Sequence, residues 1–173
     1  MGTQPLGLDL AHSRLKRARI QGPVVQGRAT FLPFADASLD MVYAAHLVHH
    51  IVAYRSLLRE VRRCLRPGGT LYLVETVENY PLVRLGRTLH PWWRGDAVET
   101  RMYFERFVQA VRAAGLDVAE AGQYSVSFWI WEVLPEHISW LDWVTPLFTA
   151  LEVLLNRIAG RWAAHCYCVA APA

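Results

Sequence analysis

Val24–Thr76 reads VVQGRATFLPFADASLDMVYAAHLVHHIVAYRSLLREVRRCLRPGGTLYLVET, and its punctuation decides the fold. Val24–Gln26 is a short apolar strand that ends at Gly27. Asp40–Ala45 is a second strand, led by an acid and rich in β-forming residues. Ala53–Leu65 places Tyr54, Leu57, Leu58, Val61 and Leu65 on one face at helical spacing. Pro67, Gly68 and Gly69 stop that helix and turn the chain. Thr70–Glu75 is then apolar until its last residue. Strand, crossover helix and strand in this order predict a parallel, doubly wound α/β sheet.

Working outward, Leu6–Leu10 is a strand carrying Asp9 near its end, and Ala11–Arg19 reads as a helix. Tyr103–Ala114 is a helix with Phe104, Phe107, Val108 and Val111 on one side and Gly115 as its stop. Leu116–Tyr124 and His165–Ala171 are the last two strands. The 77–101 segment is irregular and aromatic, as a substrate lid is. The 125–162 segment reads as a helical insertion before the last strand. Its helices start at Pro135 and Pro146, the second capped by Thr145. In the second, Leu147, Phe148, Leu151, Leu154, Leu155 and Ile158 form the apolar stripe, while Thr149, Glu152, Asn156 and Arg157 face away.

Length and composition fit one domain over 1–173, since 53% of its 173 residues are apolar, enough for a core. The net charge of +3 comes from scattered arginines, with Lys16 the only lysine, so no basic stripe points to nucleic acid. Cys64, Cys166 and Cys168 read as packed thiols, the last two on one strand face. No secretory leader opens the chain and no apolar run reaches membrane-spanning length, so a cytoplasmic location is expected.

Leu32-Pro33-Phe34, Leu39-Asp40, Val48-His49-His50, Glu60, Arg63 and Leu65-Arg66-Pro67-Gly68-Gly69 together resemble the class I S-adenosylmethionine-dependent methyltransferases, in their small-molecule branch. The resemblance runs from Leu6 to about Tyr124. It implies a Rossmann-like, mostly parallel sheet, with the last two strands antiparallel at its edge. It also implies S-adenosylmethionine as cofactor and a small-molecule acceptor. Asp9 and Leu10 then hold the ribose, Arg28 and Ala29 border the adenine, and Ala45 and His46 line the remaining cofactor wall. Arg28 stands where the family often has an acid, and a guanidinium cannot accept a hydrogen bond.

The resemblance also implies a first strand and glycine-rich turn before Leu6, which the sequence does not supply. Either the chain is a relative truncated at its amino terminus, the preferred expectation, or the sheet has closed over the gap. A non-catalytic fragment or interaction module is the alternative this leaves. A nucleotide-dependent oxidoreductase is disfavoured, because residue 12, four before Lys16, is His and not Tyr.

If the acceptor carries a proton, His46, His50 and Glu75 are the candidate bases, all at the ends of strands or in the loops that follow them. His46, His49 and His50 share helical spacing, yet no acid or cysteine completes a metal site, so no metal is expected. Tyr80, His90, Trp92, Trp93, Trp129 and Trp131 are candidate acceptor-pocket walls, which predicts an apolar or aromatic acceptor. The same tryptophans also suit a peripheral membrane contact. Oligomeric state leaves no trace in the sequence.

Overall fold

The computed structural model describes residues 5–11, 22–79, 81, 100–126 and 145–173. The expected helix at Ala11–Arg19, most of the 77–101 segment and the first part of the 125–162 insertion lie outside them.

β1 (Gly7–Asp9) pairs in parallel with β2 (Val24–Gln26) as a two-stranded sheet. A four-stranded sheet has the order β3 (Leu39–Ala45), β4 (Leu65–Thr76), β6 (His165–Pro172), β5 (Leu116–Tyr124). β3 and β4 are parallel, whereas β6 runs antiparallel to both β4 and β5. Among the described residues, β1 and β3 are not hydrogen-bonded to each other, so the sheet has not closed over the gap. The two sheets still share one core, because Leu8 of β1 packs against it.

α1 (Tyr54–Cys64) and α2 (Phe104–Ala113) cover one face of the larger sheet. Leu57, Leu58 and Val61 of α1 and Phe107 and Val111 of α2 meet Leu71, Leu73, Cys166, Cys168 and Ala170 in a single cluster. Each such side chain contributes about 1.5–3 kcal/mol by leaving water. The cysteines are packed thiols as expected, and burial pushes Cys166 up to about 12 and Cys168 up to about 11. On the opposite face Met41, Tyr43 and Tyr72 are 53%, 66% and 40% exposed.

α1 stops at Cys64, earlier than expected, and β4 begins at once. Leu39 pairs with Leu65 and Met41 with Thr70, so Arg66–Gly69 loop out of the ladder. Gly68 has φ 76°, and a Cβ on Gly69 would come within 3.1 Å of the Leu39 carbonyl. Glycine is needed at both positions.

The Leu32-Pro33-Phe34 stretch is held by α1. Glu60 accepts from the Leu32 amide at 2.9 Å, and Arg63 donates to the Phe34 and Leu32 carbonyls at 2.8 and 3.1 Å. Arg63 also binds both oxygens of Glu60, which holds that carboxyl below its usual range. The spacing between these residues is therefore a clamp that fixes the loop after β2.

α3 (Thr145–Ala159) forms where expected, but much of its expected apolar stripe stays exposed. Leu147, Leu151, Leu154 and Ile158 are 71%, 40%, 53% and 74% exposed. Glu152, expected outside, is half-buried and accepts from the Val126 amide at 2.6 Å. The helix is apolar around most of its girth, with Val153 beside the stripe, so a single polar contact is enough to favour one side. No helix among the described residues is long and apolar enough to cross a membrane.

Candidate active site

The parallel strands end along one edge, and the side chains there form a row. His46 follows β3, Thr76 ends β4, His165 opens β6 and Tyr124 ends β5. Thr76 is paired with His165, and His165 with Tyr124, so the three share a sheet face. His46 Nδ1 lies 3.3 Å from Thr76 Oγ1. The His46 and His165 rings meet edge to face at 5.4 Å, and Tyr124 stacks on His165 at 5.4 Å. Of this row only His46 was legible beforehand. Thr76, Tyr124 and His165 come from segments far apart in sequence, and only the strand register joins them.

His46 is exposed and has φ 49°, a left-handed conformation uncommon for most residues other than glycine. Its amide donates to the Val74 carbonyl at 2.9 Å, which fixes the turn out of β3. The chain then makes a short 3-10 turn, Val48–His50, instead of a helical face bearing three histidines. His49 packs on His50 at 4.0 Å, and His50 is exposed. Among the described residues no group of three metal-ligating side chains converges.

Glu75 does not reach the edge where it was expected. It lies on the helix-covered face with Leu71 and Leu73 and is 0% exposed. Its Oε1 accepts from the amides of Leu47, at 2.8 Å, and Val48, and its Oε2 meets His49 Nδ1 at 2.7 Å. A carboxylate so engaged anchors the loop behind His46. Beyond β4, Val77 and Glu78 bond to Ala164 and Met102, and Asn79 caps α2 through the Phe104 amide. Those bonds pin both ends of the 77–101 segment to the sheet edge.

Burial, and then the neighbouring His46, lower His165 from 6.5 to about 4. The folded state thus favours the neutral ring, and this contribution is complete above pH 6.5. It shrinks as pH falls towards about 4, because the unfolded chain takes up the proton first. After discounting for partial exposure, stability should drop by about 1–2 kcal/mol across that window. Urea titrations of the wild type and of His165→Gln check this: the variant should show a shallower acid dependence.

Asp9 ends β1, half-buried, with Oδ1 accepting from the Ala11 amide at 2.7 Å. Gly27 donates to the Asp9 carbonyl at 3.2 Å, so the ends of β1 and β2 lie side by side. Gly27 is also tight: a Cβ there would meet Pro33 at 3.1 Å and Leu8 at 3.3 Å. Arg28 bridges to Phe31 and is exposed, while Ala29 packs on the core. Leu10 is exposed and Ala45 half-buried. The strand ends thus place a hydrogen-bond-accepting carboxylate beside a tight glycine turn, at the carboxyl edge where ligands of such sheets bind. Tyr80, His90, Trp92, Trp93, Trp129 and Trp131 lie outside the described residues.

Comparison with known proteins bears on the fold. Residues 1–73 match the family described as "Methyltransferase domain". The biotin biosynthesis bifunctional protein of Cellvibrio japonicus is 33% identical over 125 residues, 66% of this chain but 24% of that protein. The chain therefore spans about a quarter of that relative's length. A Haloferax volcanii chain solved in complex with the Trm112 methyltransferase activator superposes with TM-score 0.66 at 24% identity, covering 98% of this chain and 72% of that one. An S-adenosylmethionine-dependent methyltransferase from Mesorhizobium loti gives 0.65 at 18% identity, covering 96% and 79%. The chain thus shares the fold of these S-adenosylmethionine-dependent methyltransferases, and its first 73 residues match the methyltransferase-domain family.

Proposed function

We propose that the protein binds S-adenosylmethionine at the strand edge and methylates a small apolar or aromatic acceptor that must lose a proton. The row His46–Thr76–His165–Tyr124 carries this reading: an exposed imidazole beside aromatic and hydroxyl side chains, at the edge where ligands of such sheets bind. Asp9 and Leu10 hold the ribose, Arg28 and Ala29 border the adenine, and Ala45 and His46 border the rest of the cofactor. When bound, the cofactor supplies an electrophilic methyl group.

The chain's own residues do the remaining work. With its Nδ1–H donating to Thr76 Oγ1, His46 leaves Nε2 to take the acceptor's proton. Tyr124 and His165 give the acceptor a flat wall, and His165 stays neutral there at ordinary pH. Glu75 positions the loop. His50 is a second imidazole on the solvent side of the same turn. Tyr80, His90, Trp92, Trp93, Trp129 and Trp131, outside the described residues, are the aromatics the sequence offers for contact with the acceptor. Methyl transfer depends on alignment in a dry cleft, and these aromatics suit that need.

Asp9 tests the cofactor half of this reading. In the full-length protein Asp9→Ala should weaken S-adenosylmethionine binding by about 1.5–3 kcal/mol, the range for hydrogen bonds to a charged group. Calorimetry measures it directly, and an unchanged dissociation constant removes Asp9 from the site.

A further inference from the structure

A cavity of about 630 Å³ lies between the start of α1 and the length of α2, lined by none of the strand-edge row. Arg55, Arg101 and Arg106 line it, with Tyr54, Tyr103 and Phe107 among its aromatic walls, and no acidic residue is among its lining. The Arg106 guanidinium lies 5.5 Å over the Tyr103 ring, which holds it in place without neutralising it. Arg101 has a longer contact, 3.8 Å, to the buried carboxylate of Glu78. Tyr54 and Arg55 begin α1, whose first turn carries no acid and whose Ala53 cap makes no side-chain hydrogen bond. The positive end of that helix therefore adds to three guanidinium groups.

Structural needs do not account for this concentration of charge. The arginines are exposed at the rim, and among the described residues Arg55 and Arg106 form no ion pair. Three like charges around one cavity repel one another unless an anion joins them. Guanidinium forks match phosphate oxygens in pairs, and flat apolar walls suit the organic group that bears the phosphate. The volume lies in the range of small-molecule sites.

We propose that this cavity binds the phosphate group of a phosphorylated organic ligand, at a site separate from the cleft where methyl transfer is placed. Backbone bonds link its surroundings to the loop that Glu75 anchors. Glu78, beneath Arg101, donates its amide to the Met102 carbonyl, and Thr100 donates to the His49 carbonyl beside the loop anchor. The phosphate comes either from a free metabolite or from a phospholipid headgroup, and a concave site favours the first.

Phenyl phosphate is the probe, titrated into the full-length protein by calorimetry, with phenol as the uncharged control. Binding of phenyl phosphate but not phenol is expected, weakening with added salt. Arg55→Ala and Arg106→Ala should each weaken it about tenfold or more, Arg106→Lys less, with S-adenosylmethionine affinity unchanged. Circular dichroism confirms that the variants fold, which their exposed positions favour. Vesicles of phosphatidylcholine with and without phosphatidic acid form the second arm. Arginine-dependent binding only to the phosphatidic acid vesicles supports the proposal and assigns the phosphate to a headgroup. Three outcomes overturn it: no binding of either phosphate source, binding unaffected by the arginine changes, or arginine-dependent binding of polyglutamate alone, which makes the site an acidic-protein contact.

Discussion

Replacing Glu75 with alanine should cost about 3–5 kcal/mol of folding stability, because three donors each lose their acceptor at about 1–3 kcal/mol apiece. The carboxylate is fully buried and serves three donors at once: the amides of Leu47 and Val48 and the ring of His49. Alanine leaves those donors under the loop with no acceptor and no room for bulk water, and each unmet group adds its desolvation cost. Glutamine keeps the shape and one carbonyl acceptor, so Glu75→Gln should lose less. Chemical denaturation of the three proteins measures the series. If Glu75→Ala unfolds at the wild-type midpoint, the carboxylate is not the anchor described above. The same substitution in a catalytic base would leave stability nearly intact, so the midpoint separates the two roles.

The place of Glu75 was in fact legible. Leu71, Leu73 and Glu75 alternate along β4, and a strand with leucines facing helices puts the third residue of that series on the helix side as well. The reading that sent Glu75 to the cleft followed its position at the strand's end and ignored its phase. The exposed stripe of α3 is a different failure. Apolar residues lie on most sides of that helix, so spacing could not choose a face, and the Glu152–Val126 contact that favours one lies between distant segments.

Elsewhere the sequence spoke clearly because local physics was enough. α1 and α2 carry one narrow apolar face each, and their limits fall within one residue of those read from spacing, apart from the turn after Cys64. The Leu32-Pro33-Phe34 pattern was recognised from resemblance alone, and the structure supplies its reason in the Glu60–Arg63 clamp. His165 and Tyr124 carried no local signal. Each is an ordinary strand residue until the antiparallel register of β5 and β6 brings it beside His46.

His46→Asn is the substitution with the largest expected effect on the proposed activity. Alanine is the wrong choice here, because φ 49° strains most side chains and a loss of activity would then report backbone movement. Asparagine tolerates the left-handed region and keeps a polar group near Thr76, yet it cannot act as a base at ordinary pH. Removal of a general base typically costs about 10²–10⁴ in rate. With a phenolic acceptor in the full-length protein, kcat should therefore fall by roughly 10²–10³, while S-adenosylmethionine affinity and the unfolding midpoint stay near wild type. A fall in KM-linked binding with kcat preserved would instead make His46 part of the pocket wall. Unchanged kcat with an unchanged pH profile would mean that the acceptor reaches the methyl group already deprotonated, and that alignment alone drives the transfer.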